Sequence, residues 1–362
     1  MNSDCNTLFI ERALQSLVMD QIRELGKHVG THTIDVHYGT PNFTADDITA
    51  VRCRFFPMVE PIKGALFVGT AMKAADELCA SREFHLLHAH FGYPDALAAF
   101  KIGRRHGLPY IVSVLGDDLL LYPQRNRYLR RSIATVMANA AAVIGVSLHL
   151  LDTAVAFGAD RQRCHHIPDG IRPEVFHLAT DAPHDRAPTI LFAGAFLPVK
   201  NVLRMIDAFA IVQRERPDVR FMLAGDGPLR EAMEQRSADA GLTQTVEFVG
   251  HVTQPQLAGL MQQSSVLCLP SVSEGWPNVI VEALACGCPV VGSAVGGMPE
   301  QIVSEDYGYL CNPQSTADIA EKILNALDRD WDRQALAARG STWQRGDMMK
   351  QIADVYRQVL PS

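Results

Sequence analysis

Between Ser264 and Glu300 the chain reads SSVLCLPSVSEGWPNVIVEALACGCPVVGSAVGGMPE, and few folds accommodate that order of segments. The apolar run Val266 to Pro270 has the length of a buried strand and is bounded by polar loop residues. After the loop SVSEGWPN, the segment NVIVEALAC is apolar except for Glu282, and Gly287 follows as a residue able to close a helix in the left-handed conformation. CPVVGSAV then reads as a second parallel strand, with GGMPE as its loop. In such a unit the loops at the carboxyl ends of the strands line the ligand crevice.

Two carboxylates stand in this unit. Glu274 lies in the loop, and Glu282 sits in a helix whose composition argues for burial, where a carboxylate needs hydrogen-bond donors. Vicinal sugar hydroxyls supply two such donors, and so does an arginine from elsewhere in the chain. Glu274 precedes a helix start marked by Pro277, where backbone N–H groups favour an anion, so capping is its plainest use.

Taken together, E-G-W-P-N-x(3)-E-A-L-A-x-G-x-P-V-V-x(4)-G-G-x-P-E resembles the donor site of the retaining GT-B glycosyltransferases, in particular glycosyltransferase family 4. The resemblance covers about Thr7 to Leu360 and is strongest to exopolysaccharide-type members. It implies that Glu274 contacts the donor sugar and Glu282 the ribose hydroxyls. It places the backbone of Gly275, Trp276, Pro277 and Asn278 near the sugar and diphosphate, with Gly296 and Gly297 letting the chain pass close to the ligand. FAGAFLPVKN resembles the family's phosphate loop, with Gly194 at the strand end and Lys200 as the cation. Ala195 stands where the family often has arginine, which leaves Lys200 and the amides near Pro277 to meet the diphosphate, unless an arginine enters from another segment, such as Arg204.

With 362 residues the chain is long enough for two domains. Its net charge of −7 is unevenly spread: the first 175 residues are balanced at 18 basic and 18 acidic, so the acidic excess lies in the rest. No basic half exists to attract nucleic acid. The eight cysteines lack metal-ligand spacing and read as reduced thiols of a cytoplasmic protein. The uncharged run Ser132 to Leu151 has membrane-spanning length but is broken by Asn139, Gly145, Ser147 and His149. The segment Tyr122 to Arg131 carries four arginines, read first as a solvated helix face and second as a peripheral contact with anionic lipid at the inner face of a membrane.

In the first half, NTLFIERALQSLVMDQIREL is read as the family's first helix, so an ordinary first strand is expected to be missing. His88 and His90 share one face of the strand FHLLHAH, because side chains alternate. The match H-A-H-F-G gives His90 the better claim to a functional role. Asp118 matches a family aspartate, whereas Leu115 replaces a histidine common in the family. Asp169 and Arg172 also depart from the family pattern.

The expected architecture is α/β: a GT-B protein of two Rossmann-like, doubly wound domains facing a cleft. The expected division is residues 1–177, a proline-rich linker 178–188, a nucleotide-sugar domain 189–340, and a helix 341–362 crossing back to the first. The expected activity is metal-independent, retaining transfer of a sugar from a nucleotide-diphosphate sugar to a hydroxyl of a glycan, a lipid-linked acceptor or a small glycoside, without a further cofactor. Catalytic roles fall to Glu274, Lys200, His90 and Asp118. The alternative is a pseudo-glycosyltransferase that keeps the fold and acts as a binding subunit.

Overall fold

The computed structural model describes residues 5–12, 16–37, 45–53, 61–179 and 187–360. The chain divides into two compact units, Met1–Pro168 together with Arg345–Ser362, and Asp169–Gln344.

The first unit is a seven-stranded parallel sheet of β1 (Asn6–Arg12), β2 (Gly30–His37), β3 (Ile48–Arg52), β4 (Leu86–His90), β5 (Tyr110–Val114), β6 (Ala142–Gly145) and β7 (Cys164–His166). Its strand order is β3-β2-β1-β4-β5-β6-β7. The chain winds outward from β1 through β2 and β3, then returns to the other side of β1 as β4. That reversal makes β1 and β4 the switch point.

The expectation of a missing first strand is overturned here. NTLFIER is β1, in the middle of the sheet and hydrogen-bonded to β2 and β4. Thr7, Leu8, Phe9 and Ile10 are all buried. A central parallel strand is covered on both faces, so it reads as a continuous apolar run rather than as an alternation. The first helix begins only at Ser16–Leu25, where Val18, Met19, Ile22 and Leu25 bury one helical face.

The last helix, Arg345–Val359, completes this unit. Its Tyr356 hydroxyl bonds His88 Nδ1 on β4 at 2.5 Å, and its Arg345 faces Asp20 of the first helix at 3.4 Å. No helix among the described residues is long and apolar enough to cross a membrane. The run at 132–151 is the end of one helix (Arg127–Asn139), then β6, then the start of another (Leu148–Ala156).

The second unit holds six parallel strands: β8 (Thr189–Ala193), β9 (Arg220–Ala224), β10 (Val246–Gly250), β11 (Val266–Leu269), β12 (Val290–Ser293) and β13 (Gly308–Cys311). Their order is β10-β9-β8-β11-β12-β13, with the switch point between β8 and β11. The stretch 264–300 supplies β11, the helix Asn278–Ala285 and β12. Gly287 stands at φ +73° just past that helix, and its N–H bonds the Leu284 carbonyl at 2.8 Å.

The first boundary falls before Asp169 rather than after residue 177. The reason is local pairing: Ile171 N–H donates to the Trp343 carbonyl, and Asp169 accepts from Asn278, so this segment is held by the second unit. Of the expected linker 178–188, residues 180–186 lie outside the described residues.

Candidate active site

In the second unit, the loops following β8 and β11 meet at the switch point. The β8 loop leaves through Gly194 at φ +155° and runs to a short turn, Pro198–Lys200. Asn201 adopts the left-handed conformation at φ +58°, and its side-chain amide donates to the Pro270 and Pro313 carbonyls at 3.0 and 2.8 Å. Asparagine tolerates that conformation better than most residues, and here its amide stitches the β8 loop to those after β11 and β13. Val272 N–H adds a bond to the Val199 carbonyl at 2.8 Å.

Lys200 and Glu274 are thereby brought face to face. Lys200 Nζ stands 2.5 Å from Glu274 Oε1, with side chains 23% and 10% exposed. The ammonium is thus neither a solvated surface group nor unpartnered. Glu274 does not cap the following helix: that helix starts after Pro277 with no side-chain cap, and while Ile280 N–H donates to the Pro277 carbonyl at 3.1 Å, the N–H groups of Asn278 and Val279 have no side-chain acceptor among the described residues.

The glycines around this pair are packing devices. At Gly296, φ +56°, a Cβ would come within 1.8 Å of the Glu274 carbonyl oxygen, and Gly297 N–H donates to the Gly275 carbonyl at 3.1 Å. The β12 loop therefore fixes the main chain that carries Glu274. Gly225 likewise lies against the β8 loop, where a Cβ would meet the Gly194 carbonyl at 2.0 Å. That close approach makes Gly225, which opens the segment Gly225-Asp226-Gly227-Pro228, a loop-packing residue.

Trp276 is buried against Trp343, ring centroids 5.3 Å apart and near perpendicular, while Arg339 covers the other ring at 4.3 Å. Its indole serves packing, so only its backbone is offered to a ligand. Asn278 donates to Asp169 at 3.4 Å, and its buried Oδ1 has no hydrogen-bond partner among the described residues.

Two expectations need correction. Glu282 is half-buried, not buried: Asn278, Val279 and Glu282 form the open strip of the helix, whereas Ile280, Val281, Ala283, Leu284 and Ala285 are buried. Spacing of three and four puts those open residues on one face. Arg204 does not take the place of the missing arginine at exposed Ala195, because its guanidinium donates to the Pro313 carbonyl at 2.7 Å.

In the first unit, Asp118 is fully buried. Its Oδ2 accepts from Gly92 N–H at 2.8 Å, and its Oδ1 from Gly116 and Leu115 N–H at 2.8 and 3.3 Å. Burial raises its pKa, and those amides partly restore it. This geometry clamps the loop after β4 to the loop after β5, which differs from contact with a reacting atom. Asp118→Ala should cost about 1–3 kcal/mol, the scale for leaving buried donors unsatisfied. The loss should show as a lower urea midpoint; a stable mutant without turnover would instead make Asp118 a substrate contact.

His88 spends both ring nitrogens on Tyr356 and Ser113, the latter at 2.8 Å, and burial drives its pKa well below the usual imidazole value. It is a neutral structural group. His90 differs: its Nδ1 lies 2.7 Å from Glu11 Oε1, both side chains almost wholly buried. Glu11 carries no signal in the sequence, because its segment has the apolar pattern of a helix and only the structure makes it a strand beside β4. Among the described residues no group of three or more His, Cys, Asp or Glu side chains is arranged to hold a metal ion. All eight cysteines are unpaired, and burial pushes the Cys286 and Cys288 thiols up to about 12.

Two doubly wound parallel sheets, the second gathering an ion pair and an uncapped helix end at its switch point, define an α/β protein of the Rossmann type. The chain belongs to glycosyltransferase family 4, with the GT-B fold: "Glycosyl transferases group 1" matches residues 179–343 and "Glycosyl transferase 4-like domain" residues 13–170. It is 32% identical over 292 residues to the D-inositol 3-phosphate glycosyltransferase of Paenarthrobacter aurescens, covering 72% of this chain and 70% of that one. Over 371 residues it is 28% identical to the N-acetyl-alpha-D-glucosaminyl L-malate synthase of Bacillus anthracis, covering 93% and 92%. Anabaena HepE, solved in complex with UDP and glucose, shares the fold at a TM-score of 0.77 and 18% identity, over 98% of this chain and all of that one (100%).

Proposed function

We propose that this glycosyltransferase moves a sugar from a nucleotide-diphosphate sugar to an acceptor hydroxyl with retention of anomeric configuration, without a metal. The observation that carries the reading is the Lys200–Glu274 pair at the β8/β11 switch point, beside a helix N-terminus with no side-chain cap. As the bond from the anomeric carbon to the diphosphate breaks, negative charge grows on the leaving oxygen. Lys200 and the amides near Asn278 meet that charge, and Glu274 faces the sugar. The new bond forms to the acceptor oxygen on the same face, and the acceptor's proton passes to the diphosphate. The acceptor is a glycan, a lipid-linked glycan or a small glycoside, handled in the cytoplasm.

The nucleotide-bound relative in fold, HepE with UDP and glucose, supports a nucleotide-sugar donor. A screen of UDP-, GDP- and ADP-sugars for nucleotide release, followed by NMR of the product's anomeric proton, tests the reading. An inverted product overturns retention. Failure to bind or turn over any of these donors overturns the transfer assignment and leaves the binding-subunit alternative that Leu115 and Ala195 favour.

Glu282, on the open strip of its helix, is assigned to the ribose hydroxyls. Glu282→Ala should weaken the free nucleotide diphosphate and the sugar nucleotide alike, by roughly ten- to a hundredfold for a charge-assisted bond. Calorimetry on the folded mutant measures it, and unchanged affinity for the free nucleotide places the ribose elsewhere.

A further inference from the structure

The carboxyl ends of β1 and β4 form the switch point of the first sheet, and a buried acid and imidazole meet there. The parallel register pairs Ile10 with Ala89, so Glu11 and His90 come next on adjacent strands. His90 Nδ1 lies 2.7 Å from Glu11 Oε1, with side chains only 3% and 2% exposed. The backbone N–H of His90 also bonds that carboxylate. Phe9 stacks on the imidazole at 6.1 Å and 11°, and the His88 ring lies 4.7 Å away. The ring is therefore held in position and orientation.

His88 and His90 differ in one respect. Both nitrogens of His88 are bonded, whereas no described residue bonds His90 Nε2. Nε2 is therefore the ring nitrogen left for a hydrogen bond from a ligand. An ionised carboxylate only accepts, so it places the proton of a neutral imidazole on Nδ1 and leaves a lone pair on Nε2.

We propose that Glu11 is a positioning residue that holds His90 as the Nδ1–H tautomer, so that Nε2 accepts a hydrogen bond from a hydroxyl of the sugar substrate. The proposal rests on the sugar-transfer reading above. Burial raises the Glu11 carboxyl, and so does Asp35 opposite it on β2, while His90 acts in the other direction. A protonated Glu11 would donate to Nδ1 and force the opposite tautomer, which gives the test its edge.

Long-range proton–nitrogen NMR of the wild-type protein, at a pH where imidazoles are neutral, reports the tautomer without any turnover. The expected result is His90 protonated at Nδ1, with Glu11→Ala shifting it towards the Nε2–H form that an unrestrained imidazole favours. Protonation at Nε2 in the wild type overturns the proposal.

Kinetics supply the second readout. Glu11→Ala and His90→Ala should each lower kcat/KM about ten- to a hundredfold. The double mutant should be no worse than His90→Ala alone, because Glu11 acts only through that ring. Losses that multiply overturn the proposal. Absence of turnover with every donor strikes the transfer reading instead, and the wild-type tautomer still decides the role of Glu11.

Discussion

Lys200→Ala lowers turnover on the order of a hundredfold or more, the scale for removing one preorganised charge-stabilising group. The structure sharpens the reason. Ala195 offers no charge and Arg204 is engaged with the Pro313 carbonyl, so neither stands in for the ammonium. Lys200 also neutralises Glu274 at 2.5 Å, and its loss leaves a carboxylate only 10% exposed without that partner. Steady-state kinetics on mutant with a wild-type melting profile measures the effect. Transfer within a few-fold of wild type removes Lys200 from the phosphate site.

Glu274→Gln produces the second large effect, and its pattern differs. Glutamine keeps the size of the side chain and an oxygen for Lys200, so the loops after β8 and β11 remain tied. What it loses is the negative charge proposed to face the sugar. Turnover should fall on the order of a hundredfold while the affinity for free nucleotide stays within a few-fold, the signature of an interaction made in the transition state. Because the two side chains touch, the losses in the Lys200→Ala, Glu274→Gln double mutant should not simply multiply. Wild-type turnover in Glu274→Gln sinks the assignment.

Particular residues show how far the sequence could be read. The unit from Val266 to Ser293 was legible as strand, helix and strand because each segment is punctuated by proline or glycine. β1 was not. No glycine or proline separates NTLFIER from the helix after it, and a doubly covered strand lacks the alternation that would distinguish it from a buried helix. Glu11 was lost with that strand, and its pairing with His90 is a long-range product of topology.

Lys200 and Glu274 each stand out in the sequence, in different motifs. Their contact was hidden because it follows from β8 lying next to β11, a property of strand order. The composition around Glu282 suggested burial, but the facing of an eight-residue helix is decided by what packs on it. Asp118 shows the converse limit: a matched position identified the residue but not its work, which is to hold three backbone amides.

The last helix has a consequence for how the protein is made. Residues 169–344 form one uninterrupted unit, whereas the first unit is assembled from residues 1–168 and 345–362. On a ribosome the second unit is therefore fully synthesised before the first can close, the reverse of their order in sequence. Until Tyr356 emerges, His88 Nδ1 lacks the hydroxyl that bonds it in the finished fold. The N-terminal sheet is thus the half of the nascent chain that waits, exposed, for the final turns of helix.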